Sequence, residues 1–263
     1  MLTSDRMLLK LIIVLLVCLT FNHSMTKKMI NQKGKLNEEI ITTIEPNFVF
    51  KDKPINRFNT LKINSDNNLA SKTELIHELK KQINSIENCN LKDNSQNLVL
   101  GDGNINSQIM LIGEAPGIEE DRSGTTFKGN VGELLDKMLL AIDLKRQNIY
   151  NSYAINFRPP EDRKPTSQEI KRYSFFLKEH ISIINPKIVI LMGSTAMEAV
   201  TGINNKISAE RGKWKEVILK NKNYPLMITF NPSYLIRFPE NKKYSWTDLK
   251  IIKQKIQDLK IKV

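Results

Sequence analysis

The residues of this chain best placed to do chemistry lie between Gln108 and Leu140, in QIMLIGEAPGIEEDRSGTTFKGNVGELLDKMLL. One carboxylate, Glu114, sits inside the turn Gly113-Glu114-Ala115-Pro116-Gly117. Three more follow at Glu119, Glu120 and Asp121, and the aromatic Phe127 closes the loop. Carboxylates are general acids and bases when a fold brings them beside a substrate. Taken alone, the glycines and the proline would only turn the chain, and each acid would be a solvated loop charge. Position points further. Ile109 to Ile112 is a short apolar run that reads as a buried strand, and a loop leaving the carboxyl end of such a strand is where open α/β sheets place their ligands.

The elements around the loop can be read from periodicity. Gly129, Asn130 and Gly132 loosen the backbone ahead of Leu134, Leu135, Met138 and Leu139, whose spacing predicts a helix. Ser71 to Ile86 places Leu75, Ile76, Leu79 and Ile83 on one face, with Ser71 or Thr73 as N-cap and His77 as a surface residue. Leu98 to Leu100 reads as a short strand closed by a turn at Gly101 to Asn104. Asn148 to Phe157, Lys187 to Gly193 and Leu226 to Phe230 read as further strands. Helices are expected from Thr166 or Ser167, from Ser194 and from Trp246. No internal repeat is evident. Four strands alternating with helices predict a three-layer α/β/α sandwich around a central, mostly parallel four-stranded sheet.

At 263 residues and 40% apolar content the chain can bury a full single-domain core. Its formal charge of +12 suits a polyanionic partner, but Lys, Asn and Ile run through the whole sequence, as an A+T-biased genome would produce. The two cysteines, Cys18 and Cys89, are far apart, which excludes a disulfide framework and a CxxC metal site. Residues 1–24 hold the apolar run Met7 to Phe21, long enough for a signal-peptide core and short for a membrane span. It lacks a clear small-x-small cleavage site, so a cytoplasmic bacterial protein begun at Met25 or Met29 is expected, with export as the alternative. Residues 25–70 are polar and read as an extension or linker. Residues 71–263 are the expected catalytic domain.

Several segments together resemble one family. They are the Gly113 to Gly117 turn, the acidic pair Glu120-Asp121, Phe127 with Gly129 to Gly132, RPPEDRKPTSQEI from Arg158 to Ile170, AERGKW from Ala209 to Trp214, and Asn231-Pro232-Ser233-Tyr234-Leu235-Ile236. In these the chain resembles the uracil-DNA glycosylase superfamily, family 4, the thermophile-type iron–sulfur class, and its cluster-lacking bacterial relatives. The likeness covers roughly residues 86–255. It implies the uracil-DNA glycosylase fold and hydrolysis of the N-glycosidic bond of deoxyuridine in DNA, leaving an abasic site. A catalytically weakened DNA-binding descendant is the alternative.

The resemblance also implies roles. Gly113, Ala115, Pro116 and Gly117 would shape a turn whose amides bind uracil oxygens, and Phe127 would stack on the flipped base. Glu114, Glu120 and Asn231 are the expected catalytic residues: the two acids orient water or stabilise the sugar cation, and Asn231 donates to the departing base. Asn231 stands where the family has His. Tyr153 stands where it has the Asn that reads the uracil edge, and Asn151, on the same strand face, is a possible substitute. Arg158, Arg163, Lys164 and Arg211 are expected at phosphates, with Leu235, Ile236 and Arg237 as a wedge entering the duplex. Of the four family cluster positions, only Cys89 is retained. Ile86, Phe157 and Tyr173 hold the others, so no 4Fe-4S cluster and no other cofactor is expected. The expected partner is DNA, with no stable membrane partner, and the expected state is a monomer.

Overall fold

A computed structural model of the chain describes residues 71–261. The segments expected at 1–24 and 25–70 lie outside the described residues. The first helix, α1 (Lys72–Asn84), starts at a capping box: the Ser71 hydroxyl accepts from Glu74 N–H and the Glu74 carboxylate accepts from Ser71 N–H at 2.6 Å. Leu79 and Ile83 are buried beneath it, whereas Leu75, expected on the same face, is exposed, as is His77. A short α2 (Asn90–Asp93) follows.

The sheet has six strands in the order β1-β3-β2-β4-β6-β5. Four of them, β3 (Tyr150–Tyr153), β2 (Ile109–Gly113), β4 (Ile188–Met192) and β6 (Lys222–Thr229), run parallel. These are the four strands expected. Two antiparallel strands close the edges, β1 (Gly101–Gly103) on β3 and β5 (Trp214–Leu219) on β6. The first edge corrects the reading of Leu98 to Leu100 as the strand. Those residues run beside the chain after β3, where Val99 N–H donates to the Asn156 carbonyl at 2.9 Å, and the glycine-rich stretch read as a turn makes the ladder instead.

Along β2 and β4 successive side chains enter two different cores. Met110, Ile112, Val189 and Leu191 pack with residues of α1, α5 (Ser167–Ile184) and α6 (Ser194–Thr201). Ile109, Leu111, Ile188 and Ile190 pack with residues of α4 (Gly129–Leu140), α8 (Pro232–Arg237) and α9 (Lys242–Asp258). A strand covered on both faces has no polar side to show, which is why these runs are continuously apolar. Two short helices, α3 (Ile118–Ser123) and α7 (Ile207–Glu210), sit in the connections. No helix among the described residues is long and apolar enough to cross a membrane.

Connectivity places the site. The chain leaves β2 through α3 and α4 toward β3, but leaves β4 through α6 toward β6, on the other side of the sheet. The crevice between the carboxyl ends of β2 and β4 is therefore a switch point, where such sheets bind ligands.

Inside the first core, His180 of α5 is wholly buried, with Nε2 at 2.9 Å from the Tyr150 hydroxyl and Nδ1 at 3.4 Å from Ser152 Oγ. Burial lowers its pKa to about 4. The folded protein thus holds His180 neutral while the unfolded chain takes up a proton below its ordinary value near 6.5, so stability falls as pH drops through that window. Denaturant titrations at pH 7 and pH 5 are expected to differ by on the order of 2 kcal/mol from this group alone. In His180→Gln that pH dependence should flatten; an unchanged dependence would assign it elsewhere.

Candidate active site

At the carboxyl ends of the parallel strands lies a cleft of about 790 Å³, lined by the turn after β2, by Phe127 to Val131, by Tyr153, by the segment after Pro159, and by the starts of α6 and α8. Gly113, expected among the uracil-binding residues, ends β2 just before this turn and does not itself line the cleft. A Cβ there would stand 2.7 Å from the Tyr153 ring and 2.8 Å from Phe127, so glycine is what lets both rings close on the strand end. The two rings meet at 4.9 Å between centroids, tilted by 40°. Phe127 is 1% exposed and has a φ of +49°, a left-handed conformation that bulky residues rarely adopt. Its surroundings hold it there. Its N–H donates to the Tyr153 hydroxyl at 2.9 Å and its carbonyl accepts from Arg146. On the preceding residue, Asp102 of β1 accepts from Thr126 N–H at 2.6 Å and from its hydroxyl at 2.7 Å. Strain imposed from several sides in this way is typical of functional sites.

The four carboxylates of the loop have separate fates. Glu114 lies across Gly193, whose φ of +102° and lack of a side chain make room for it. Glu114 Oε1 accepts from Thr195 N–H at 3.0 Å and from the Ser194 hydroxyl at 3.3 Å, and Oε2 from the Asn231 amide at 3.4 Å. This one side chain joins the ends of β2, β4 and β6. Glu119 is exposed. Glu120 is 5% exposed, and each of its oxygens accepts from a backbone amide, Gly117 at 3.0 Å and Lys128 at 2.7 Å. Asp121, also buried, accepts from Gln96 and Asn97 N–H at 2.9 and 3.0 Å. Pro116 has no N–H and that of Gly117 is taken by Glu120, which leaves Glu114 and Ala115 as the amide donors of the turn.

Tyr153 lines the cleft and is buried. Desolvation, and then the Glu120 carboxylate, raise its pKa well above the phenol value, so it stays protonated. Asn151, expected as a possible substitute, is not in the cleft: its amide donates to the Arg146 carbonyl at 3.2 Å and faces Asp102 at 3.5 Å. Asn231 caps α8, accepting from Ser233 N–H and hydroxyl at 3.1 Å each, with its NH2 toward Glu114.

The expected DNA contacts divide. Arg158 is paired with Asp162 at 2.6 Å, and the fork of Arg163 grips Glu169 at 2.9 and 2.7 Å, pulling that carboxyl down to about 2. Arg211 is spent on buried Asp248, Nε to Oδ2 at 2.9 Å, and also meets the Tyr244 carbonyl. Burial raises the Asp248 pKa, against the Thr229 hydroxyl and Arg211, which lower it. Leu235 requires a correction. It is 1% exposed within the second core, so it cannot enter a duplex, and the exposed residues at that corner are Ile236 and Arg237. Arg158, Arg211 and Leu235 do not line the cleft; Arg163 and Arg237 do. Lys128, absent from the expected set, lines it with Lys164 and Arg237, all three exposed, and among the described residues none of the three is in an ion pair. Gly193 to Thr195 were also missed as site residues, although a glycine directly after an apolar strand was a readable signal.

A model of the "Uracil DNA glycosylase superfamily" matches residues 100–253. The chain belongs to the uracil DNA glycosylase superfamily. It is similar to a type-4 uracil-DNA glycosylase of Thermotoga maritima, 34% identical over 174 residues that span 66% of this chain and 89% of the relative. It is also similar to type-4 enzymes of Archaeoglobus fulgidus, 30% identical over 183 residues (68% and 92%), and Sulfurisphaera tokodaii, 32% over 187 residues (68% and 84%). This membership brings the cluster positions into question. Cys89 Sγ lies 3.2 Å from the Tyr173 hydroxyl, Phe157 meets Tyr173 edge-on at 6.4 Å, and Ile86 packs against the same core. One thiol, one phenol, a phenyl ring and an aliphatic chain do not fit a cluster that needs four thiolates or close substitutes. Among the described residues no group of three or more His, Cys, Asp or Glu side chains is placed to hold a metal ion.

Glu120→Ala leaves two part-buried backbone amides, those of Gly117 and Lys128, without their carboxylate partner and is expected to cost about 2–4 kcal/mol, lowering Tm by about 5–15 °C. A melt unchanged from the parent would show that the loop does not depend on this clamp.

Proposed function

We propose that this protein hydrolyses the N-glycosidic bond of deoxyuridine in DNA, releasing uracil and leaving an abasic site, and that it does so without an iron–sulfur cluster. The observation that carries the reading is Phe127, held in a strained conformation on the cleft floor within the same cavity as Glu114 and Asn231. A flipped base needs a planar surface to stack on and donors at its edge. Phe127 supplies the surface, and the Glu114 and Ala115 amides supply donors. Bond cleavage gives the sugar positive charge and the leaving uracil negative charge. The Glu114 carboxylate balances the first and directs water to the anomeric carbon, and the Asn231 amide donates to the second. Glu120 acts as a positioning residue, since both its oxygens hold backbone amides. Lys128, Lys164 and Arg237 meet backbone phosphates. The same reading makes residues 71–263 the catalytic domain of a cytoplasmic monomer acting on DNA, with residues 25–70 a linker.

One observation favours a second reading, a catalytically weakened DNA-binding descendant. Tyr153 fills the uracil-edge position with a buried ring whose hydroxyl is already engaged by Phe127 N–H. Single-turnover excision from oligonucleotides carrying one uracil opposite G, opposite A or in a single strand separates the two. Alkali-labile product is expected from the parent, reduced roughly 100-fold or more in Glu114→Ala and Asn231→Ala. Product from Tyr153→Asn but not from the parent would establish the weakened descendant. Iron and acid-labile sulfide assays on the purified protein should find neither; a stoichiometric cluster would contradict the cofactor reading.

A further inference from the structure

A line of aromatic rings leaves the cleft along α8. Phe230, just past β6, stacks on Tyr234 at 5.0 Å and 21°, and Tyr234 packs on Phe238 at 4.8 Å and 38°. Phe230 is buried, Tyr234 half-buried and Phe238 44% exposed, so the line climbs from the cleft wall into solvent. Its inner members, Phe230 and Tyr234, line the cleft. Asn241 holds the middle ring by donating to the Tyr234 hydroxyl at 3.3 Å. Around the outer ring the chain reads RFPENKK, in which Arg237, Lys242 and Lys243 outnumber the single acid Glu240. A lone exposed phenylalanine needs no explanation. A stack that starts in a binding cleft, ends in solvent and is flanked by cations is how proteins hold single-stranded nucleic acid, because every base offers a face to stack on.

We propose that this ladder is a track for single-stranded DNA, with the base next to the flipped nucleotide stacking on Phe238. The preferred substrate is then uracil in single strands. The inference rests on the proposed reading of the cleft as a uracil site, which it deepens. In a duplex the neighbouring bases remain stacked on one another and leave Phe238 little to do.

The test uses the full chain and fluorescence anisotropy with a short labelled oligothymidylate, alone and annealed to oligoadenylate. Neither probe contains uracil, so binding is read apart from catalysis. Phe238→Ala should weaken single-strand binding roughly fivefold or more, the loss of one stacked base, with duplex binding within about twofold. Phe238→Trp should keep it. Phe175→Ala, an exposed ring of α5 on the opposite face of the sheet, should leave both affinities unchanged. An equal loss on both probes, no loss on either, or a similar loss from Phe175→Ala would overturn the proposal. If uracil is excised but Phe238→Ala slows single strands and duplexes alike, the track fails and the glycosylase reading stands. If no uracil is excised but Phe238→Ala selectively weakens single-strand binding, the track stands and the catalytic reading fails.

Discussion

Much of this site depends on a missing side chain at the end of the central strand. Because Gly113 has no Cβ, the rings of Phe127 and Tyr153 can close over the strand end. Bringing Phe127 there forces its backbone left-handed, at a cost of order 1–3 kcal/mol, and that requires restraints arriving from other elements: Asp102 from an edge strand, Arg146 from before β3, and Tyr153 from β3 itself. Gly132 belongs to the same constraint, since a Cβ there would collide with the Phe127 carbonyl at 2.0 Å. The short antiparallel strand β1 therefore matters beyond the few hydrogen bonds of its ladder. It carries the carboxylate that fixes the loop.

Electrostatics divides the labour among acids that look alike on paper. Glu120 and Asp121 are buried where backbone amides meet them, which is where a carboxylate is well served without water. Glu114 instead keeps one edge at the start of α6 and the other toward Asn231, at the crevice where connections from adjacent strands diverge. That carboxylate is half-buried and tied to the ends of three strands. The surface charge behaves differently from its sum of +12. Arg158, Arg163 and Arg211 are neutralised by Asp162, Glu169 and Asp248, so the positive field at the cleft comes from lysines and Arg237.

The parallel sheet was legible because strands covered on both faces must be continuously apolar, as IMLI and IVILM are. The edge strands were not. Gly101 to Gly103 carries turn residues and no apolar pattern, and Trp214 to Leu219 alternates too weakly to stand out from the polar sequence around it. At the site, the turn, Phe127, Tyr153 and Asn231 were legible as members and do share one cleft. Their partners were not, since no local pattern says that Glu120 will grip Lys128 N–H or that Arg211 will find an acid 37 residues away. Leu235 was misread because loop sequence does not tell which of three consecutive residues faces the core. Cys89, Tyr173 and Phe157 meet one another in the first core and Ile86 packs against that core, contacts between residues far apart in sequence that no local pattern announces.

Whether this cleft receives a flipped uracil on Phe127, as proposed, can be seen in a structure with single-stranded DNA carrying one non-hydrolysable deoxyuridine analogue. The base is expected stacked on Phe127, with a uracil oxygen within hydrogen-bond reach of the Glu114 or Ala115 amide and the Asn231 amide at the opposite edge. A strand bound with its uracil outside the cleft, and Tyr153 still filling the space beside Phe127, would contradict it.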